Sequence, residues 1–135
     1  MAHICSSCYL REVPEAGVSC PRCHDWVAHR QGRRVRELLR RAAAQFEVAT
    51  DAIQIGMEQE DVRISLQEVM RADAASMEAW EIVQAAQEVV FRMAAIHTET
   101  AVAARAELIH ALERAGEVVN LVGNALTAVA SRLAA

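Results

Sequence analysis

The feature that most constrains this chain is the absence of proline after Pro21. The chain has 135 residues; its last 114 contain no proline, and 27 of its residues are alanine. Because proline interrupts helices and alanine is the best helix former, this composition favours long helices. Aromatic residues make up only 4% of the chain, which argues against a β-sandwich or β-barrel. We therefore expect a mainly α protein.

All four cysteines lie within the first 23 residues, as the pairs Cys5 with Cys8 and Cys20 with Cys23. Two residues separate the members of each pair, which lets a tight turn point both sulfurs at one ion. Two such pairs complete a tetrahedral shell of four thiolates, and no cysteine is left over. The spacing predicts one structural Zn²⁺ bound by all four.

Other uses of the four cysteines match the sequence less well. Two disulfides would need an oxidising compartment, and the first residues have neither the basic nor the apolar segment of a secretory signal. A thioredoxin-like redox pair needs a βαβ context, which the sequence lacks. Iron in a four-thiolate shell is chemically feasible, but a rubredoxin has wider spacing between its pairs and more aromatic residues nearby.

The segment from Cys5 to His24, CSSCYLREVPEAGVSCPRCH, resembles the short zinc-ribbon domains of prokaryotic proteins. Those domains have a Cys-x2-Cys knuckle, a polar hairpin with a Pro-Glu-Gly-type turn, and then Cys-Pro-x-Cys-Gly. The resemblance covers residues 3–24 and implies a zinc-stabilised module that docks onto protein or nucleic acid. His24 stands where the family usually has glycine, and a left-handed backbone there is less comfortable for histidine.

Three histidines and a tryptophan lie near the cysteines. With four thiols available, we expect none of His3, His24 and His29 to bind the metal. His24 follows a cysteine directly and is placed to donate a hydrogen bond to a sulfur. We expect Trp26 to cover the metal or pack against the first helix.

Periodicity divides the chain into three regions: a zinc ribbon at 1–24, a basic amphipathic helix with a connector at 25–60, and a long helical hairpin or coiled coil at 61–135. The firm part of the first helix is predicted at 33–48. Asp51 to Gly56 reads as the break after it, because Asp51 is a turn residue and Gly56 is permissive. Ser65-Leu66-Gln67-Glu68 fits a capping box, which predicts a helix start near 61–66.

An apolar heptad pattern runs through the last region. It passes through Val62, Leu66, Val69, Asp73, Ser76, Trp80, Val83, Gln87, Val90 and Ala94, and resumes at Leu108, Ala111, Ala115, Val118, Val122, Ala125 and Val129. The pattern thins between His97 and Glu107, where Thr98 and Thr100 are candidate caps. We expect an antiparallel hairpin of helices at 61–96 and 99–133, with one continuous helix as the alternative. Trp80, Val83, Val118 and Val122 should be buried, and self-association should bury more of the stripe, giving a homo-oligomer.

Charge is distributed unevenly along the chain. Residues 1–41 carry a formal +4 before any thiolates, and residues 42–135 carry −8. Six arginines occupy the half of the first helix opposite its apolar face: Arg30, Arg33, Arg34, Arg36, Arg40 and Arg41. They form either an anion-binding face for nucleic acid or a face that meets solvent or the acidic helices of another copy of the chain.

The sequence shows no nucleophile–base constellation, P-loop or dinucleotide fingerprint, so we do not expect an enzyme. The leading hypothesis is a zinc-binding structural or adaptor protein that oligomerises through its helices and docks a protein partner through its zinc head. A component of a multi-copy assembly such as a virion would fit this description. The alternative is a small nucleic-acid-binding regulator that uses the arginine face. A peripheral membrane protein using residues 118–133 fits less well, because the polar face of that segment is not enriched in basic residues as such a helix should be.

The longest uncharged stretch near the end, Val118 to Ser131, is shorter than the roughly 20 apolar residues of a membrane span. We therefore expect no transmembrane segment. The expected location is the cytoplasm, or a particle assembled there, and not the secreted fraction.

Overall fold

The protein is a three-helix bundle with a small cysteine-containing head. The computed structural model describes residues 3–6, 8–18, 20–93 and 99–135, with the backbone alone at 24 and 25. In chain order the elements are β1 (His3–Ile4), β2 (Glu12–Val13), α1 (Pro21–Glu58), α2 (Val62–Met93) and α3 (Glu99–Ala134). The two strands pair antiparallel, with His3 opposite Val13. The mainly α fold class is confirmed.

Helix α1 is longer than the sequence pattern indicates. Pro21 occupies its first turn, where the missing N–H costs nothing. The helix then continues to Glu58, so the predicted break at Asp51–Gly56 is wrong. A Cβ at Gly56 would lie 3.1 Å from the Cβ of Glu68 and 3.2 Å from the carbonyl oxygen of Ser65. Gly56 therefore serves the close approach of α2, and this packing outweighs its weak helix propensity.

The chain reverses between α1 and α2 at Gln59–Asp61. The Gln59 N–H donates to the carbonyl oxygen of Gly56, and the Asp61 carboxylate accepts a 2.9 Å hydrogen bond from the Arg63 N–H. Asp61 is thus the N-cap of α2. The helix does begin within the predicted interval 61–66, but the capping-box interpretation of Ser65 is wrong, since Ser65 is a buried residue inside α2.

Helices α2 and α3 form the antiparallel hairpin rather than one continuous helix. Val69, near the start of α2, packs with Ala125 and Val129 near the end of α3. The observed ends, Met93 and Glu99, agree with the predicted helices at 61–96 and 99–133. The expected cap Thr98, with Ala94 and His97, lies outside the described residues.

The core is built from small side chains at heptad spacing. In α3 the predicted positions lie in the core, and Ala111 packs against it. In α2 the predicted heptad positions Val69, Ser76, Val83 and Val90 are buried, and Val62 and Leu66 pack against the core. The predicted positions Asp73, Trp80 and Gln87 are not buried. The second row of buried residues lies one position earlier and consists of Ser65, Ala72, Ala79, Ala86 and Met93. Small residues in this row let α1 and α2 pack closely.

Trp80 lies outside the core because the second buried row of α2 runs through Ala79, one position earlier. Its side chain is 40% exposed, so its predicted burial is wrong, whereas the burial predicted for Val83, Val118 and Val122 is confirmed. An indole would not fit the middle of that row, where the buried side chains are those of Ala72, Ala79 and Ala86. Among the described residues, no helix has the length and apolarity needed to cross a bilayer.

Candidate metal centre

The four cysteines come from two different structural elements. Cys5 and Cys8 lie in the connection between β1 and β2, where the Cys5 N–H donates to the Arg11 carbonyl oxygen at 2.7 Å. Cys20 is the residue that precedes α1, and Cys23 lies in its first turn. The first pair therefore sits on a hairpin, as a zinc ribbon would have it, while the second pair is carried by the start of a helix.

The chain turns sharply after Cys8. Tyr9 has a φ of 57°, the left-handed conformation that non-glycine residues rarely adopt. Its N–H donates to the carbonyl oxygen of Cys5 at 3.1 Å, which closes the turn around the first pair. The backbone strain expected at His24 does not arise, because the backbone of His24 is helical.

The sulfur positions fit a single metal ion. The four Sγ atoms lie within 4.8 Å of one another, and those of Cys8 and Cys20 are 3.8 Å apart. Four tetrahedral sulfurs, each about 2.3 Å from Zn²⁺, would be separated by about 3.8 Å. The cysteines can therefore hold a metal ion, with zinc the typical occupant of such a shell.

Hydrogen-bond donors surround the sulfurs as they would surround thiolates. The Cys5 sulfur accepts the backbone N–H of Cys20 at 3.1 Å and that of Cys8 at 3.5 Å. The guanidinium of Arg11 donates to the Cys20 sulfur at 3.8 Å. These donors stabilise negative charge on sulfur.

The pKa values of Cys20 and Cys23 are shifted in opposite directions by this environment. Burial, together with the neighbouring sulfurs, raises the pKa of the Cys23 thiol to about 12. Cys20 has a lowered pKa, chiefly because the backbone N–H of Cys23 donates to its sulfur. Four thiolates packed together repel one another, and a divalent cation would remove that repulsion. A Zn²⁺ bound here would supply the charge balance and cross-link the two pairs.

Among its described residues, the head has almost no core besides the cysteines. Its buried residues are Cys5, Val13 and Cys20, with Cys8, Val18 and Cys23 packed against them. So small a cluster buries too little apolar surface to fold a module by itself. With sulfur at all four positions, a bound zinc would have no open coordination site, which suits a structural role.

The residues expected beside the metal are arranged differently from the prediction. Trp26 is 60% exposed, and the guanidinium of Arg30 in α1 lies 5.5 Å from its ring centroid, so of its two predicted roles the structure favours packing on the first helix over covering the metal. His29 is exposed, and His3 belongs to β1. The cluster of potential ligands found among the described residues contains only the four cysteines. The side chain of His24 lies outside the described part.

Sequence reasoning missed the exposed apolar residues of the head. Ile4, Tyr9 and Leu10 are 61%, 74% and 86% exposed. The only sequence signal was their position: large apolar side chains beside cysteines in a segment too short to bury them.

All six predicted arginines of α1 are exposed. Arg34 lies 3.9 Å from Glu37 in an exposed ion pair. Arg36 and Arg40 line a groove of about 460 Å³ between α1 and α3, which they share with His110 and Arg114. The structure thus places two of the six beside α3.

The chain was compared with known proteins, and no family model, no curated protein and no solved structure matches it. The metal centre is therefore supported by its own geometry, and membership of the zinc-ribbon family stays a prediction.

Proposed function

We propose that this protein is a non-enzymatic, zinc-binding adaptor. In this proposal one structural Zn²⁺ is held by Cys5, Cys8, Cys20 and Cys23, the head docks a protein partner, and the helical bundle associates with further copies. The observation that carries the proposal is the convergence of the four sulfurs within 4.8 Å of one another. A head with so small a core needs the metal to hold its shape.

The zinc step is tested by elemental analysis of the protein purified under reducing conditions. We expect about one zinc per chain and almost none after Cys20→Ser, because three thiolates leave the shell incomplete. Ala16→Ser is a matched control, since Ala16 is exposed in the same head and its change should leave the zinc content intact. Wild-type protein without metal and with two disulfides would contradict the proposal.

The docking step is supported by the surface of the head. Tyr9 and Leu10 expose apolar side chains, and Arg11, Arg22 and Arg30 are exposed on the same part of the chain. With four thiolates and one Zn²⁺, the formal charge of residues 1–41 is about +2. An acidic protein surface with apolar side chains of its own would complement this head in charge and in apolar contact.

Docking is tested by placing a photo-crosslinking amino acid at Leu10 in cells that produce the protein. We expect one discrete protein adduct, which should disappear in the Cys20→Ser background. A crosslinker at Thr127, an exposed residue near the other end of the bundle, should not give that adduct. Loss of position dependence, or adducts with nucleic acid only, would argue against protein docking.

Self-association is the third part of the proposal. The exposed apolar side chains on α2 and α3 include Met77, Phe91, Ile109 and Val119, more than a solitary bundle needs. Association of copies would suit a component of a multi-copy assembly, such as a virion. Sedimentation at micromolar concentration should show more than a monomer.

A nucleic-acid-binding regulator is the alternative function, and the exposed arginine face of α1 favours it. If that face binds phosphates, affinity should fall by roughly one power of salt concentration per phosphate neutralised. Changing Arg33, Arg36 and Arg40 together to Gln should then abolish binding. We expect no binding by the wild type at near-physiological salt, because the formal −8 of residues 42–135 lies within a Debye length or two of the arginines.

A further inference from the structure

A long apolar groove between α2 and α3 is left open where α1 does not cover the hairpin. It encloses about 810 Å³, and Trp80, Met77 and Leu112 are among the apolar side chains that line it. Met77 is 61% exposed, Trp80 40% and Val119 54%. An apolar surface of this length points to an interaction site.

Two glycines in the wall of the groove are not in close contact with any other described part of the chain. A Cβ at Gly116 or Gly123 would meet no atom within 4 Å, although glycine destabilises a helix interior relative to alanine. The other two helical glycines differ: a Cβ at Gly56 would meet α2, and one at Gly32 would lie 2.5 Å from the Thr100 side chain. In this protein, helical glycine therefore marks a close approach of another helix, and at Gly116 and Gly123 no such helix belongs to the described chain.

The groove is complementary to itself. Its α3 wall runs from Leu112 to Leu126, with its midpoint at Val119. If a second copy is turned end for end about an axis between Val119 and Asn120, Gly116 of one copy faces Gly123 of the other. Both glycines then lie where two α3 helices approach each other most closely.

The α2 wall has the same property at nearly the same level of the bundle, because Val69 of α2 packs with Ala125 and Val129 of α3, which brings the middle of the α2 wall to within about two residues, roughly 3 Å, of the α3 axis position. It runs from Asp73 to Gln84, with its midpoint between Glu78 and Ala79. The same rotation places Trp80 of one copy opposite Met77 of the other, an apolar pair. It also places the Asp73 carboxylate opposite the Gln84 amide, which can donate a hydrogen bond to it.

We propose that this groove is the interface of an antiparallel, two-fold symmetric dimer of the chain. A two-fold interface uses the same patch on each subunit, so a self-complementary groove is what it requires. The inference makes the self-association of the proposed function specific and rests on that part of it, while it needs neither the zinc head nor the docked partner.

The salt dependence of association distinguishes a second copy from another occupant. The charged residues that line the groove, Asp73 and Glu81, are both acidic, so two copies repel each other weakly at the rim. Added salt screens this repulsion, and dimerisation should strengthen between about 50 and 500 mM salt. A basic amphipathic helix from another protein would show the opposite dependence.

The first test is sedimentation equilibrium of the full zinc-loaded chain. We expect a dimer at micromolar concentration for the wild type and at least tenfold weaker dimerisation for Gly116→Gln with Gly123→Gln. These changes remove helical glycines at positions with open space, so they should not impair folding. Ala106→Gln with Asn124→Gln is the matched control on exposed positions of α3 outside the groove lining, and it should dimerise like the wild type.

The second test fixes the geometry by cross-linking through an introduced cysteine. Asn120→Cys, beside the proposed axis, should give a covalent dimer under mild oxidation, whereas Asn124→Cys, an exposed residue that does not line the groove, should not. A monomer at all concentrations and salts, or equal cross-linking at both positions, would overturn the proposal. So would a monomer whose Trp80 fluorescence, read in a Trp26→Phe background, shifts on adding a synthetic Leu/Lys amphipathic helix.

Zinc content measured on the same samples separates the two proposals. A protein that binds zinc but stays monomeric would remove the dimer and leave the metal centre standing. A protein that dimerises through the groove but contains no zinc would remove the metal centre and leave the dimer standing.

Discussion

At the scale of single residues, the Cys23 thiol carries a proton that opposes metal binding. Its pKa of about 12 without an ion keeps it protonated at neutral pH, so zinc must displace that proton. By linkage, affinity then falls as pH falls, by about tenfold per pH unit for each proton released. Competition with a chromophoric chelator at pH 6, 7 and 8 should show a loss of at least this size. An affinity independent of pH would contradict a site that binds through displaced thiol protons.

The Arg132 side chain connects the end of α3 to the turn between α1 and α2 through hydrogen bonds. Its guanidinium donates to the carbonyl oxygens of Gln59 at 3.0 Å and Glu60 at 2.8 Å, and to the Ser65 hydroxyl at 3.1 Å. Arg132→Ala removes all three bonds, and Ser65 is buried, so we expect a loss of about 2 kcal/mol in urea unfolding.

The matched control for this prediction is Arg114→Ala. Arg114 pairs with Glu117 at 3.2 Å on an exposed surface, so its loss should cost at most about 0.5 kcal/mol. Equal losses for the two variants would remove the special role of Arg132. That role was not predictable from the sequence, because it depends on where the turn at 59–61 comes to lie.

At the scale of helices, replacing glycine by alanine should have opposite effects on stability at Gly56 and at Gly116. Gly56→Ala introduces a Cβ 3.1 Å from the Cβ of Glu68 and 3.2 Å from a carbonyl oxygen, neither of which moves easily. Overpacking should exceed the gain in helix propensity and leave a net loss of about 1 kcal/mol.

Gly116→Ala introduces a Cβ into open space, and it should stabilise the monomer by about 0.5–1 kcal/mol. Both variants are measured by denaturant unfolding at concentrations low enough to keep the chain monomeric. If Gly56→Ala were as stabilising as Gly116→Ala, the close packing of α1 on α2 would be refuted.

The same elements explain what the sequence could and could not predict about the fold. Absence of proline and an alanine-rich heptad pattern were enough for long helices and for the core of α3. They were not enough for α2, because alanine occurs on several faces of that helix and leaves a heptad frame ambiguous by one position. The prediction of a helix break at Gly56 failed for a related reason. Glycine is compatible both with a turn and with a close contact between helices, and only the position of α2 decides between them.

At the scale of the whole molecule, the convergence of the four cysteines was predictable, because two Cys-x2-Cys pairs suit one tetrahedral shell and leave no spare thiol. The position of the α1 start, between the two cysteines of the second pair, was not predictable. A Cys-x2-Cys spacing is compatible with a hairpin turn and with the first turn of a helix. The groove between α2 and α3 could not be foreseen either, because it follows from Trp80 lying outside the core. Both features depend on how the structural elements pack against one another, and a periodic sequence pattern carries no information about that packing.

The architecture also predicts that head and bundle unfold separately. The buried core that the three helices share in α1 begins at Val35, whereas the core of the head consists of Cys5, Val13 and Cys20 with their sulfur neighbours. Chelation of the metal should therefore unfold the head and leave the bundle intact. Amide exchange should accelerate across residues 3–23 and stay slow from Val35 onward, with most of the far-ultraviolet helical signal retained. Cys20→Ser should reproduce this pattern without chelator, and a cooperative loss of the whole helical signal in either experiment would mean that the zinc head is part of the bundle's own folding unit.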